Sequence, residues 1–195
     1  MTDDSSNCLM IDCGTWLVKA GSSNEDSPKY IAPALVGYDS QIQSQNLISF
    51  YGNDVLNAQQ KVNMIPLFKR GIVQDWNKLE SYFKNLVEEF LGMDFNEKAV
   101  MMNYSSVQNF YYREKMCQMF FESFNVPYFY MTPDSLLSLY SSGKTFGIVI
   151  DSGHNKTSVV PIVDGSIVQS AQMTSFFAGS KITSQLMNKY SIDFF

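Results

Sequence analysis

The chain has 195 residues, of which 45% are hydrophobic and 14% aromatic, enough for one packed domain and part of a second. A formal net charge of −5 gives no support to direct nucleic-acid binding. Three cysteines and the single His154 have no zinc-ligand spacing and are typical of a reducing compartment. The apolar stretches are too short to cross a membrane and the N-terminus is acidic, so we expect a soluble protein that is not secreted.

Three strands are predicted at the start of the chain. Residues 8–12 form an apolar run that ends in Asp12 at a Cys13-Gly14-Thr15 turn, and residues 16–20 return beside it. Residues 30–36 predict a third strand that Pro33 interrupts. Residues 38–69 lose this periodicity and gather Gln, Asn and Ser, which predicts an exposed insertion.

Helices and strands then alternate. An amphipathic helix is predicted from an Asp75 N-cap to Gly92, and a second from about residue 108 to residue 124. Strands are predicted at 99–102 and 128–131, and a third helix from an Asp134 cap to Gly143. The order βββαβαβα predicts a mixed or parallel sheet wrapped by helices.

The opening pattern then recurs. Residues 146–153 repeat the apolar strand, the terminal aspartate and the glycine two positions later. A return strand is predicted at 157–162, a tight turn at Asp164-Gly165, a third strand at 166–170 and a helix at 179–190. The second unit therefore contains only the βββα start of the first.

The two Asp-x-Gly turns, at Asp12 and Asp151, suggest phosphate chemistry. A glycine permits positive φ and lets backbone N–H groups turn toward an anion, while the carboxylates can hold Mg²⁺ through water molecules. Each turn alone is equally typical of an ordinary hairpin. Their repetition in matching places favours two loops that grip a polyphosphate between them.

Several longer motifs point to one family. They are Ile11-Asp12-Cys13-Gly14-Thr15, Gly71-Ile72-Val73, Arg113-Glu114-Lys115-Met116, Phe121-Glu122-Ser123-Phe124-Asn125-Val126-Pro127, Ser138-Leu139-Tyr140-Ser141-Ser142-Gly143 and Gly147-Ile148-Val149-Ile150-Asp151-Ser152-Gly153. On these motifs the chain resembles the N-terminal half of an actin-related protein over nearly all of residues 8–190.

The resemblance implies an α/β chain with the actin-like ATPase (ribonuclease H-like) fold, whose two halves close on Mg-ATP. Residues 1–37 and 70–143 would correspond to subdomain 1 of actin and residues 38–69 to subdomain 2. Residues 144–195 would be an incomplete start of subdomain 3. The adenosine-binding loop and the rest of the second lobe have no counterpart in this sequence.

The resemblance also implies two phosphate loops. The first would comprise Asp12, Gly14, Thr15, Leu17 and Lys19, and the second Asp151, Gly153, Asn155 and Lys156. Asp12 and Asp151 would be the metal carboxylates.

Some positions depart from the family's pattern. Trp16 replaces a glycine, and its indole either crowds the phosphates or projects from the hairpin. Asp134 stands where actin has the glutamine that positions the attacking water, and it is equally typical of a helix N-cap. An aspartate at that place would repel the γ-phosphate.

The second loop departs further. His154 and Asn155 replace an aspartate and a glycine, which removes one carboxylate expected near Mg²⁺. His154 is either a catalytic base or a polar loop residue. Lys156 either contacts phosphate or is an ordinary exposed hairpin lysine. These changes predict weak or lost Mg-ATP binding and hydrolysis.

The expected function is that of a structural or binding subunit in a cytoskeletal or chromatin-remodelling assembly. Its partners would be other actin or actin-related subunits, with no nucleic acid or membrane bound directly, in the cytoplasm or the nucleus. The polar Gln41–Asn46 segment disfavours polymerisation by actin's own mechanism. The alternatives are a fragment of an ATP-binding actin-type ATPase and a truncated product without function.

Overall fold

The computed structural model describes residues 7–39, 50–58, 62–69, 71–106 and 108–190. The chain divides into two compact units. Unit 1 is Met1–Tyr104 with Gln108–Met131, and unit 2 is Ser105–Val107 with Thr132–Phe195. The three-lobe division expected from the sequence stays a prediction.

In its described residues, unit 1 contains a five-stranded sheet, two small sheets and three α-helices. Its strands are β1 (Cys8–Cys13), β2 (Leu17–Ser22), β3 (Tyr30–Pro33), β4 (Leu35–Asp39), β5 (Phe50–Tyr51), β6 (Val62–Pro66), β7 (Phe68–Lys69), β8 (Ile72–Val73), β9 (Ala99–Tyr104) and β10 (Phe129–Pro133), the last of which continues into unit 2. Its helices are α1 (Asn53–Asn57), α2 (Trp76–Lys84) and α3 (Phe110–Gln118), with a 3₁₀ turn at Phe95–Glu97.

The main sheet has the strand order β10-β9-β1-β2-β3. β1 is antiparallel to β2 and parallel to β9, with Cys8 opposite Ala99 and Ile11 opposite Met102. Apolar residues of β1, β2 and β9 pack with α2 and α3 in one core, whose largest members include Phe83 and Phe120. The mixed sheet wrapped by helices is confirmed.

Both long helices of unit 1 start at a side-chain cap and end in a π-helical turn. The Asp75 carboxylate accepts hydrogen bonds from the backbone N–H groups of Asn77 and Lys78, which confirms the predicted N-cap. Asn109 caps α3 in the same way. The π turns are Asn85–Phe90 and Met119–Ser123. Left-handed residues follow them, Gly92 with φ +63° and Asn125 with φ +54°.

The predicted insertion is more ordered than expected. β4, β5 and β6 form a three-stranded sheet in the order β5-β4-β6, and Leu67 and Phe68 belong to the main core. The expectation of an exposed excursion over residues 38–69 is therefore wrong, because apolar residues at its C-terminal end pack into the main core of unit 1. The polar Gln41–Asn46 segment lies outside the described residues. The predicted break after Pro33 is confirmed, since β3 and β4 belong to different sheets.

The described part of unit 2 contains a four-stranded sheet and two α-helices. Its elements are α4 (Asp134–Ser141), β11 (Gly147–Ser152), β12 (Thr157–Val163), β13 (Ser166–Ile167), a 3₁₀ turn at Gln169–Ala171, β14 (Met173–Ser175) and α5 (Gly179–Tyr190). β12 pairs with β11 on one side and with β13 and β14 on the other.

Two sequence predictions in unit 2 need correction. The strand expected at 166–170 ends at Ile167, where the chain turns and returns to β12 as β14. Pro133, not Asp134, is the N-cap of α4, and Asp134 is the first helical residue. The predicted tight turn is confirmed by the positive φ angles of Asp164 (+49°) and Gly165 (+73°).

The core of unit 2 is small. Its buried apolar residues are Leu139, Val160 and Ile162, with Leu136, Val149 and Ile167 packed against them. This core joins α4 to one face of the sheet. None of the helices in the described ranges is long and apolar enough to cross a membrane.

A buried hydrogen-bond chain stabilises unit 1. Tyr30 donates its hydroxyl proton to Tyr82 (2.9 Å), and Tyr82 donates to the carbonyl of Pro33 (2.9 Å).

We expect Tyr82→Phe to lower the free energy of unfolding by about 1–3 kcal/mol, because Tyr30 and the Pro33 carbonyl each lose a buried hydrogen bond. Urea denaturation checks this, with the exposed Tyr128→Phe as control. Equal midpoints for the two variants would contradict it.

Candidate functional site

The two Asp-x-Gly turns are hairpins with the same register. In unit 1 Asp12 is opposite Lys19 and Cys13 is opposite Val18, and in unit 2 Asp151 is opposite Ser158 and Ser152 is opposite Thr157. Each hairpin therefore has a loop of four residues, 14–17 and 153–156. The glycine N–H donates to the carbonyl three residues later in both loops, at 3.0 Å in the first and 2.9 Å in the second.

The expectation that these glycines adopt a positive φ is wrong. Their assignment to the phosphate loops stays a prediction. Neither Gly14 nor Gly153 has a positive φ, and both N–H groups are used inside the hairpins rather than turned toward an anion. Gly14 is needed for a different reason, since a Cβ there would lie 2.7 Å from the carbonyl oxygen of Leu17. The corresponding distance for Gly153 is 3.7 Å, an ordinary contact.

Both carboxylate oxygens of Asp12 have partners within unit 1. Oδ2 lies 3.0 Å from Nζ of Lys19, and Oδ1 accepts a 2.7 Å hydrogen bond from Nδ2 of Asn103. Sequence reasoning missed Asn103. The signal that could have found it is the parallel pairing of β1 and β9, which brings the C-terminal ends of both strands to one sheet edge.

The other first-loop residues follow Asp12 along the hairpin. Thr15 and Trp16 lie in the four-residue loop, and Leu17 begins β2. The Trp16 side chain is about half exposed, and its carbonyl accepts a hydrogen bond from Ala34. Burial, with a smaller effect of the Asp12 charge, raises the pKa of the Cys13 thiol. Cys13 is therefore protonated at neutral pH and is no nucleophile.

Lys156 is not the ordinary exposed hairpin lysine that the sequence allowed. Its side chain is only 17% exposed. Nζ contacts the hydroxyl of Ser105 and lies 3.8 Å from Oδ2 of Asp134. The second hairpin loop, residues 153–156 of unit 2, thus contains a mostly buried ammonium group that is paired with a carboxylate.

Asp134 is held by several groups of unit 2. Its Oδ1 accepts a 2.7 Å hydrogen bond from the N–H of Ser135, and the backbone of Ser106 bonds to the same carboxylate. Burial raises the pKa of Asp134, and the charge of Asp151 raises it further. Lys156 and the two backbone bonds oppose this shift without cancelling it.

The second loop is attached to the start of α5. The N–H of Gly179 donates to the carbonyl of Gly153 (3.0 Å), and the N–H of Ser180 donates to the carbonyl of His154 (2.8 Å). Burial lowers the pKa of His154, so its imidazole is neutral at pH 7. Asn155 lies in the same loop. These contacts use the first N–H groups of α5 for the loop itself.

The residues of the second loop do not fit a divalent metal ion. Mg²⁺ prefers water and one or two carboxylates in an octahedral arrangement, whereas a lysine ammonium stands beside Asp134 and a neutral imidazole replaces the expected carboxylate. Within the described ranges, no three His, Cys, Asp or Glu side chains form a metal-binding group. The ammonium groups of Lys19 and Lys156 suit an anion better than a cation.

Comparisons with known proteins agree with this fold. The family model described as Actin matches residues 3–193. The chain is 34% identical to centractin of Saccharomyces cerevisiae over 186 residues, covering 91% of this chain and 48% of centractin. It is 29% identical to actin-like protein 7B of Mus musculus over 184 residues, covering 92% of this chain and 44% of that protein.

The mixed α/β sheet and its hairpins define an actin-like ATPase fold, of which this chain forms the N-terminal part. The chain belongs to the actin family, as the sequence motifs predicted, and its relatives include actin-related proteins. It spans about half the length of the curated relatives it matches. Domains of this family generally bind a nucleotide together with a metal ion.

The two hairpin glycines provide a matched pair of substitutions. We expect Gly14→Ala to lower the free energy of unfolding by about 1–3 kcal/mol, because its Cβ meets a backbone carbonyl that must move. Gly153→Ala should change it by less than about 0.5 kcal/mol. Chemical denaturation of both variants measures the difference. A loss of equal size in both would contradict the steric explanation.

The raised pKa of Asp134 predicts a pH dependence. The folded chain binds the Asp134 proton more tightly than the unfolded chain, so this group costs stability as the pH rises through its unfolded pKa toward its higher folded pKa. Asp134→Asn removes that cost. The stability of Asp134→Asn relative to the wild type should therefore increase as the pH rises from the ordinary aspartate pKa of 3.8 and become constant above the raised folded pKa. Urea titrations at several pH values test this, and a difference that falls with pH would contradict it.

Proposed function

We propose that this chain is an actin-related binding subunit of a multi-protein cytoskeletal or chromatin-remodelling assembly, with weak or absent ATP binding and hydrolysis. The single observation that carries the proposal is an exposed apolar strip on the sheet of unit 2. The strip consists of Ile148, Ile150, Val163 and Met173. The register of β11, β12 and β14 places these four residues on the same sheet face.

The internal repeat allows the exposure of this strip to be compared with the matching residues of unit 1. With Asp12 matched to Asp151, Leu9 corresponds to Ile148 and Ile11 to Ile150. Leu9 and Ile11 are 1% and 3% exposed, whereas Ile148 and Ile150 are 66% and 70% exposed. In unit 1 the outer edge of β1 pairs with β9, while among the described strands β11 pairs on one side only. Apolar surface of this kind is covered by a protein partner, by a second copy of the chain or by polypeptide outside this sequence. The proposal adopts the first of these.

Weak hydrolysis is supported by the surroundings of Asp134. Its carboxylate accepts hydrogen bonds from the Ser135 and Ser106 backbones and faces Lys156. These contacts leave it poorly placed to orient a water molecule. His154, with its pKa lowered by burial, is chemically able to accept a proton. Both catalytic assignments stay proposals with little support.

The alternative function is that of a nucleotide-binding part of an actin-type ATPase. The Asp12, Lys19 and Asn103 cluster favours it, because a lysine at the mouth of a hairpin loop can contact phosphate. In this reading Gly14, Thr15, Leu17, Gly153 and Asn155 line the phosphate loops, and Asp12 and Asp151 face the metal. The lobes proposed at 1–37 with 70–143, at 38–69 and at 144–195 apply to both functions.

Purified monomeric actin is the probe for the binding function, since other actin-family subunits are the proposed partners. We expect the full chain to bind actin in analytical ultracentrifugation and Ile150→Asp to weaken binding at least tenfold, because a carboxylate would be desolvated at the contact. Ile72→Asp is the matched control, since Ile72 in unit 1 is 67% exposed.

The proposed location of this binding subunit is the cytoplasm or the nucleus.

Two results would count against the binding function. The first is equal actin affinity of the wild type and Ile150→Asp. The second is hydrolysis of Mg-ATP by the wild type that the double change Asp12→Ala and Asp151→Ala abolishes, which would favour the ATPase.

A further inference from the structure

Lys156 is not required by the hairpin that contains it. It occupies the last position of the four-residue loop, where the first hairpin has Leu17. Its carbonyl accepts the N–H of Gly153, just as the carbonyl of Leu17 accepts that of Gly14. An apolar residue thus satisfies the same backbone geometry, so the positive charge at this position needs another explanation.

The contacts of the ammonium group supply that explanation. Lys156 reaches the Ser105 hydroxyl and the Asp134 carboxylate, whose side chain is 28% exposed. A mostly buried ammonium is costly unless it is paired and hydrogen-bonded. All these groups belong to unit 2, so the pairing is a property of that unit alone.

The charged groups around Lys156 come from several elements. Asp134 is the first residue of α4, and Asp151 is in β11, close enough to influence Asp134 electrostatically. His154 lies in the loop, and the turn at Ser105 and Ser106 contributes hydroxyl and backbone groups. Two carboxylates and one fixed ammonium leave a single net negative charge. Lys156 thus cancels one of the two negative charges that would attract a divalent cation, and it repels a cation that approaches Asp134 at short range.

We infer that Lys156 is an intramolecular counter-ion that takes the place of a divalent metal ion at the second loop, so that Asp134 and Asp151 do not bind Mg²⁺. A phosphate group that reaches this loop meets an ammonium instead of a metal ion. The inference deepens the proposed function, since loops kept for binding need no metal-assisted chemistry. It applies to the residues of unit 2 and is independent of which protein partner binds.

Mn²⁺ provides a direct test, because it substitutes for Mg²⁺ and broadens the NMR signals of nearby amides. We expect the amides of residues 151–155 in the wild-type chain to stay sharp at millimolar Mn²⁺. In Lys156→Met, and in Lys156→Gln, which keeps a donor for Ser105, the same amides should broaden at a Mn²⁺ concentration at least tenfold lower than in the wild type. Lys156→Arg keeps the charge and should behave like the wild type.

Lys144→Met is the matched control, since it removes an exposed lysine of the same unit, and its amides at 151–155 should stay sharp. Two results would overturn the inference. One is broadening of residues 151–155 in the wild type at the Mn²⁺ concentration that broadens them in the neutral variants. The other is the absence of broadening in a folded neutral variant, since Lys156 would then not be the group that excludes the metal. Actin binding is measured separately, so failure of the proposed function is recognised independently.

Discussion

The parallel pairing of β1 with β9 is the constraint on which unit 1 depends. It joins Cys8 to Ala99 and Ile11 to Met102. Because these residues are far apart in the chain, the pairing costs more loop-closure entropy than a hairpin does. The pairing buries Leu9, Ile11, Val100 and Met102. It also brings Asn103 to Asp12, so the polar end of the first hairpin depends on the same non-local contact as the core.

Local signals in the sequence predicted much of the fold. Asp75 predicts a helix start because its carboxylate can accept hydrogen bonds from the first backbone N–H groups of the helix. Asp164-Gly165 predicts a tight turn because both residues tolerate positive φ. The repeated Asp-x-Gly pattern predicted two equivalent hairpins, and the structure shows that they have the same register. These features depend only on residues that are close in sequence.

The parts that sequence reasoning missed depend on distant residues. No local pattern connects Lys156 to Ser105, or the Gly153 carbonyl to the Gly179 N–H. No local pattern predicts that β13 ends at Ile167 either. This strand is short because β14 pairs with the remaining part of the same β12 edge. The prediction for the hairpin glycines failed for a different reason, because the steric need at Gly14 comes from the nearby Leu17 carbonyl and not from φ.

The π-helical turns give the two long helices of unit 1 the same ending. Leu91 donates to Leu86 and Met93 to Val87, while Phe124 donates to Met119 and Val126 to Phe120. A π turn accommodates one extra residue per turn without breaking the helix, so it rotates everything after it. After each π turn the chain passes through a left-handed residue, Gly92 or Asn125. The next residue, Met93 or Val126, then packs on or in the core of unit 1. The two endings are thus one structural solution reached with different residues, in which backbone geometry matters more than residue identity.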